Sequence, residues 1–247
     1  MNDISIITAT YNAEKTVAHC IQSVSEQSVR VEHIVVDGGS SDRTFDIVSE
    51  HQAEIAQAIS GKDDGIYDAM NKGIAMASGK VIGILNADDF YPNKGVLEKV
   101  LTVFEDSAAG ACYGDLWYVD EQRPDKVVRR WHSGDFHRNK FYWGWMPPHP
   151  TFFVRKDLYR NYGCFNLDLG SAADYELMLR FLLKHRVKAV YIPEVLVHMR
   201  AGGVSNASLS NRLAANRMDR QAWRVNSIRP LPWTTILKPI RKITQWL

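Results

Sequence analysis

The chain is poor in cysteine: Cys20, Cys112 and Cys164 are all it has among 247 residues. Their number is odd, their spacings are wide and no Cys-x-x-Cys pair occurs, which argues against a disulfide framework or a zinc–thiolate site. Each stands among apolar neighbours and reads as a buried thiol in a reducing compartment. Long apolar runs are missing too, and nothing approaches the roughly 18 uninterrupted residues of a membrane span. The opening Met1-Asn2-Asp3-Ile4 enters a strand at once, with neither basic n-region nor cleavage site. Export by a signal peptide is therefore not expected, and a cytoplasmic location is. No Gly-x-Gly-x-x-Gly follows the first strand, which disfavours a dinucleotide oxidoreductase. No repeat or low-complexity tract is present, and 45% hydrophobic with 23% charged residues is an ordinary globular mix.

Net charge is small as well, at +2, but unevenly spread. Residues 207–247 hold eight basic side chains against one acid, Asp219, a net of +7, so residues 1–206 carry −5. An acidic body with a basic tail does not fit a general nucleic-acid binder. In the tail, Trp233, Ile236, Ile240, Ile243 and Leu247 fall near one helical face and Lys238, Arg241 and Lys242 on another. This pattern suits an interfacial anchor at the inner face of a membrane; docking onto the body or onto a second copy in a homodimer is the other reading.

What is abundant is alternation of buried strands with amphipathic helices. Ile4–Ala9, His33–Asp37 and Val81–Leu85 are apolar, β-branched runs. Between and after them, helical stripes run from Asn12 to about Gln27, through Phe45 and Val48, from Ile66 to Ala77, and over Val96–Phe104. Such strands spaced by helices imply a parallel sheet covered on both faces, with ligands at the carboxyl ends of the strands. Beyond residue 110 the pattern is less regular. Strands are expected over 111–119, 127–132, 151–154, 187–192 and 195–199, an aromatic-rich stretch over 133–150, and a helix over Asp174–His185. No linker splits the chain cleanly.

Acids collect where ligands of such sheets bind: Asp37 ends strand two, Asp63, Asp64 and Asp68 surround the third helix start, and Asp88-Asp89 follow strand three. Adjacent carboxylates there can hold a divalent cation, or simply cap the next helix. Thr8-Ala9-Thr10-Tyr11-Asn12, Val35-Val36-Asp37-Gly38-Gly39-Ser40-Ser41-Asp42, Asp64-Gly65-Ile66-Tyr67-Asp68-Ala69-Met70-Asn71-Lys72-Gly73 and Leu85-Asn86-Ala87-Asp88-Asp89 follow one another in this order. Together they resemble the family 2 glycosyltransferases, most closely the bacterial branch that builds surface polysaccharides; the resemblance covers roughly residues 3–205. It implies the GT-A (nucleotide-diphospho-sugar transferase) fold. That is a Rossmann-like, mixed, mainly parallel α/β sheet with helices on both faces, here with a basic C-terminal helical tail. The implied domain is 1–206, with a nucleotide-binding half over 1–110 and an acceptor-binding half over 111–206, followed by the tail over 207–247.

The resemblance also implies roles. Thr8, Ala9, Tyr11 and Asp37 would hold the base and ribose of a nucleotide-sugar donor, most plausibly a UDP-sugar. Asp64 would line the same pocket with Asn71 and Lys72 close by. The family's Asp-x-Asp motif, which binds a Mg or Mn ion bridging the diphosphate, falls on Asn86, Ala87 and Asp88, with Asp89 next. Asn86 is a neutral oxygen donor where the family has an acid. A late His often completes that site, here His198, before a glycine-containing loop from Gly202 that would close over donor; Arg200 could pair with a phosphate. The family's base is the Asp of a Glu-Asp pair at a helix start, here Asp174, with Ala173 in place of the Glu. An acid in a first helical turn also serves the helix dipole. His149 would face the acceptor and donor sugar. Trp143 or Trp145 could stack on a sugar, packing being the fate of at least one. The implied reaction is a metal-dependent, inverting transfer to a saccharide or lipid-linked saccharide, in which a cation relieves the leaving diphosphate and a base deprotonates the acceptor. A sugar-1-phosphate nucleotidyltransferase would need a glycine-rich loop after strand one, and Thr10-Tyr11-Asn12-Ala13-Glu14-Lys15 has no glycine. A non-catalytic nucleotide-sugar binder stays open because Asn86 and Ala173 replace family acids.

Overall fold

The structure is a computed structural model that describes residues 3–202 and 209–241. Strands β1 (Ile4–Thr10), β2 (Glu32–Asp37), β3 (Gln57–Ser60) and β4 (Val81–Ile84) pair in parallel, with helices α1 (Val17–Ser25), α2 (Thr44–Glu50) and α3 (Ile66–Met76) as crossovers. The chain then adds β5 (Asp89–Phe90), α4 (Val96–Glu105), β6 (Ala111–Val119), β7 (Val127–Trp131), β8 (Phe153–Arg155), α5 (Lys156–Tyr162), α6 (Ala173–Met178) and β9 (Ala189–Arg200). The sheet runs β3-β2-β1-β4-β8-β6-β9-β5, with β7 on β6. It is mixed: β6 and β9 are parallel, while β8 inserts antiparallel between β4 and β6.

Strand β1 shows how the sheet divides the interior. Ile4 and Ile6 enter the core beneath α4, and Ile7 and Ala9 enter the larger core beneath α3 and α6. Strict alternation feeds both faces because successive side chains point to opposite sides.

Several elements depart from local expectation. Asn12 does not start a helix; it takes φ +49°, and its Oδ1 accepts from the Ser41 N–H at 2.9 Å, while α1 begins at Val17. The two late strands are one, β9, whose register against β6 shifts on either side of Asp115. The helix expected from Asp174 begins as α6 and widens into a π turn over Leu179–Lys184, with Leu177, Met178, Phe181 and Leu182 all buried. Strand β3 carries no alternating apolar signal and is exposed throughout.

The tail packs on the body over its described length. Helix α7 (Leu209–Val225) buries Ala222 and Trp223, and the Trp223 indole N–H donates to the Tyr175 hydroxyl at 3.0 Å. Asn226 Nδ2 donates to Glu176 Oε1 at 3.0 Å. Helix α8 (Thr234–Ile240) sets Lys238 on Asp219 at 2.6 Å and 3.6 Å above the Tyr175 ring. Its backbone approaches Gly144 so closely that a Cβ there would lie 2.4 Å from the Lys238 nitrogen. Ile243, Leu247 and the loop from Gly203 lie outside the described residues.

Candidate active site

At the carboxyl ends of β1, β2 and β3, Thr10, Asp37 and Ser60 stand side by side in register. Asp37 is fully buried, and its carboxylate accepts from the Gly39 and Ser40 N–H groups at 3.2 and 3.0 Å. It also accepts from the Ser40 and Ser60 hydroxyls at 2.5 and 2.6 Å. It therefore folds the loop that follows it. The loop after β1 is stitched to that loop by Asn12 N–H to Ser40 Oγ at 2.8 Å and Ala13 N–H to Thr44 Oγ1 at 2.7 Å. Thr8 and Ala9 place their side chains inside; Thr8 Oγ1 meets His33 Nε2 at 3.0 Å. Tyr11 alone among the four expected donor residues turns a side chain outward, 65% exposed. Thr10 Oγ1 is buried opposite Asp37 with no hydrogen-bond partner among the described residues, as a polar group awaiting a ligand would be.

Of the acids before α3, Asp64 is exposed, and it is Asp63 that meets the β2 loop. A Cβ at Gly38 would lie 2.6 Å from Asp63 Oδ2, so the missing side chain at Gly38 is what admits this carboxylate. Lys72 pairs with Asp68 at 2.9 Å and donates to the Lys62 carbonyl at 3.3 Å, keeping the same loop together. Asn71, expected near donor, instead uses both ends of its amide on the Phe165 backbone, at 2.9 Å each.

The turn after β4 holds Asn86, Ala87 and Asp88. Asp88 is half-buried, and burial raises its carboxyl above the ordinary range against the pull of the Arg200 guanidinium. Asp89 lies fully inside and is raised well above that range by burial and by Asp88. Asn86 Nδ2 donates to Asp89 Oδ2 at 3.1 Å, which leaves Asn86 Oδ1 and Asp89 Oδ1 buried without partners among the described residues. Arg200 clamps this turn. It donates to the Asp88 carbonyl at 2.6 Å and to His19 Nδ1 at 2.5 Å, and lies 4.9 Å over the Phe90 ring. His198, expected as a ligand, packs edge-on to Phe90 and stacks on Trp117 at 5.8 Å. Among the described residues no three His, Cys, Asp or Glu side chains group to hold a metal, so Asp88, Asp89 and His198 are not a closed three-ligand set. Hard oxygens and unpartnered acceptors do fit a Mg or Mn ion that takes the rest of its shell from phosphate and water.

Asp174 lies half-buried in the first turn of α6, where its Oδ1 accepts from the Tyr175 N–H at 2.6 Å. Tyr67 lies beside Asp174, and burial together with that carboxylate pushes the phenol's pKa up. His149 stands on the same cluster: burial lowers its pKa and Asp174 opposes the change. Phe165 is the hub, with Tyr67 at 5.2 Å and His149 at 5.5 Å between ring centroids, and Asn71 fixing its backbone. A carboxylate beside a phenol and a desolvated imidazole suits proton transfer.

The family model described as Glycosyl transferase family 2 matches residues 5–163. The chain is a family 2 glycosyltransferase. Among its relatives, an uncharacterized glycosyltransferase of Mycobacterium tuberculosis is 33% identical over 183 residues, covering 73% of this chain and 69% of that protein. A PGL/p-HBAD biosynthesis glycosyltransferase of Mycobacterium bovis is 28% identical over 212 residues, covering 82% and 78%. In three dimensions the glycosyltransferase resembles Staphylococcus aureus TarS 1–349 in complex with UDP-GlcNAc, with TM-score 0.68, 16% identity and coverage of 99% of this chain and 78% of that one. It also resembles the mannosyltransferase PcManGT of Pyrobaculum calidifontis in complex with GDP-Man and Mn2+, with TM-score 0.66, 20% identity and coverage of 95% and 67%. In a further TarS structure the glycosyltransferase spans 43% of the matched chain. These likenesses establish the GT-A fold.

One correction concerns the transferase's tryptophans. Trp145, expected at a sugar, is 7% exposed, donates its indole N–H to the Ser133 carbonyl at 2.9 Å and meets Tyr113 and Phe141 edge-on. Trp143 is the exposed member of the pair, at 53%. Sequence reasoning passed over His19 and gave Tyr67 no role, because their partners lie too far along the chain to leave a local mark; Asp63 was named among the ligand-side acids, but only Gly38 in the structure shows what it meets.

Proposed function

We propose that this glycosyltransferase moves a sugar from a UDP-sugar to a hydroxyl of a saccharide carried on a lipid, with inversion, in building a surface polysaccharide. The observation that carries the reading is that Tyr67 and His149, joined through the Phe165 ring, both lie at Asp174. UDP-GlcNAc bound to a protein of like fold and the name of the mycobacterial relative support the choice of donor and product class. Tyr11 offers a ring face to the base, and Asp37 and Asn12 hold the loops around it in place through the Gly39 and Ser41 N–H groups. Asp88, with Asn86 in the same turn, would hold a Mg or Mn ion, which when bound supplies positive charge to the leaving diphosphate. Asp174 accepts the acceptor's proton as the acceptor oxygen bonds to the anomeric carbon and the bond from that carbon to the diphosphate breaks. Tyr67 fixes which way the carboxylate faces, and the buried side of His149 keeps water from it.

The test is UDP release from a panel of UDP-sugars, with and without Mn, for the natural chain and for Asp174→Asn. Metal-dependent release with one sugar, reduced about 10²-fold or more in the variant, is expected. Binding of UDP by calorimetry without release, with extracted lipid-linked acceptor present, would instead make the protein a nucleotide-sugar binder.

A further inference from the structure

The docked tail hides its one acid and shows its aromatics. Asp219 is buried against Lys238, whereas Arg217, Arg220, Arg224 and Arg229 are exposed, so the tail's outward charge is basic. Trp233, just before α8, is 42% exposed, and Ile236 in its first turn 54%. Trp143, from a segment ninety residues earlier, packs against Trp233 with the rings tilted and their centroids 5.8 Å apart, and Leu231 adds a further exposed side chain. Single exposed apolar residues are ordinary, but a packed tryptophan pair with an isoleucine and a leucine makes a contiguous patch. Tryptophan suits the boundary between headgroup and acyl chain, and arginine suits the phosphates above it.

We propose that this face seats the enzyme on an anionic phospholipid bilayer, with Trp143, Trp233 and Ile236 entering the headgroup layer. Charge complementarity selects the occupant, since exposed basic residues are attracted to an anionic leaflet. The face is also coupled to the candidate base. Thr234 Oγ1 donates to the Tyr142 carbonyl at 2.7 Å, the Tyr142 ring packs on Trp223 at 5.1 Å, and Trp223 bonds Tyr175, the neighbour of Asp174. An acceptor anchored in that bilayer reaches the site from the side where its lipid lies; this last step rests on the transferase reading above, whereas bilayer binding does not.

The test is co-sedimentation of the full chain with phosphatidylcholine vesicles, with and without phosphatidylglycerol, at low and high salt. The natural chain is expected to pellet with the anionic vesicles and to be released by salt. The double variant Trp233→Ser, Ile236→Ser is expected to bind at least about tenfold more weakly while its circular dichroism and UDP release stay unchanged. A natural chain that remains in the supernatant, or a variant that pellets equally well, overturns the proposal. So does sedimentation velocity showing a dimer that the variant dissolves, because a second copy would then cover the face. Absent UDP release in both proteins with vesicle binding intact would count against the transferase reading alone.

Discussion

The two halves of the domain hold their loops by different means. Under β1 and β2 the interior keeps polar groups: Ser5 on Glu32, Thr8 on His33, and Asp37 on its serines. Beyond residue 110 the interior is built of rings, with Trp145 touching Tyr113, Phe136 and Phe141, and Tyr175 between Phe141 and Trp223. In the first half polar links join β1 to β2 and fix the loop after Asp37 to its own strand end. In the second half rings do the joining, and Tyr175 carries the contact from Phe141 to Trp223 in the tail.

The sharpest way to break this contrast is Trp145→Ala. Loss of a buried indole should cost about 3–5 kcal/mol in denaturant unfolding, with UDP affinity unchanged at temperatures where the chain stays folded. A change confined to acceptor or donor affinity, with stability intact, would return Trp145 to the substrate. The polar half should instead respond to pH. Burial holds the His33 imidazole down at about 4, against about 6.5 when unfolded. Its folded pKa is depressed, so the unfolded chain binds the extra proton first. The contribution is fully present above about pH 6.5 and is lost as pH falls toward 4, to a total of about 3 kcal/mol. Unfolding midpoints between pH 7 and 4.5 should show that loss, and His33→Gln, which keeps a partner for Thr8, should flatten it.

The smallest effect tests the join between the halves. Tyr67→Phe takes the phenol away from Asp174 and should lower kcat about tenfold with the donor KM unchanged. An unchanged kcat would leave Tyr67 a packing residue.

Legibility in the sequence follows the same division. Strands β1, β2 and β4 and the acids at their ends could be read because each carries its signal in a handful of adjacent residues. Strand β3 could not, since Gln57–Ser60 is exposed and has no apolar period. Nor could the sequence choose between Trp143 and Trp145: two residues apart, they differ in whether a core or the tail lies opposite. Asn71 stands in a motif the sequence shows, but its amide serves Phe165, 94 residues away, a partner no spacing rule supplies.

The place of β8 in the sheet has a consequence during synthesis. Strand β4 has β1 on one side, but its other edge is covered only when Val154 and Arg155 arrive, roughly 70 residues later. At about 5–20 residues per second on the ribosome, that apolar edge stays open for about 3–14 s. Throughout that interval the nucleotide half is a sheet with a bare edge, prone to pair with a neighbouring nascent chain. The insertion that locks the two halves into one enzyme thus makes the first half dependent on a strand it does not contain, and a chaperone that shields the edge would act before any substrate does.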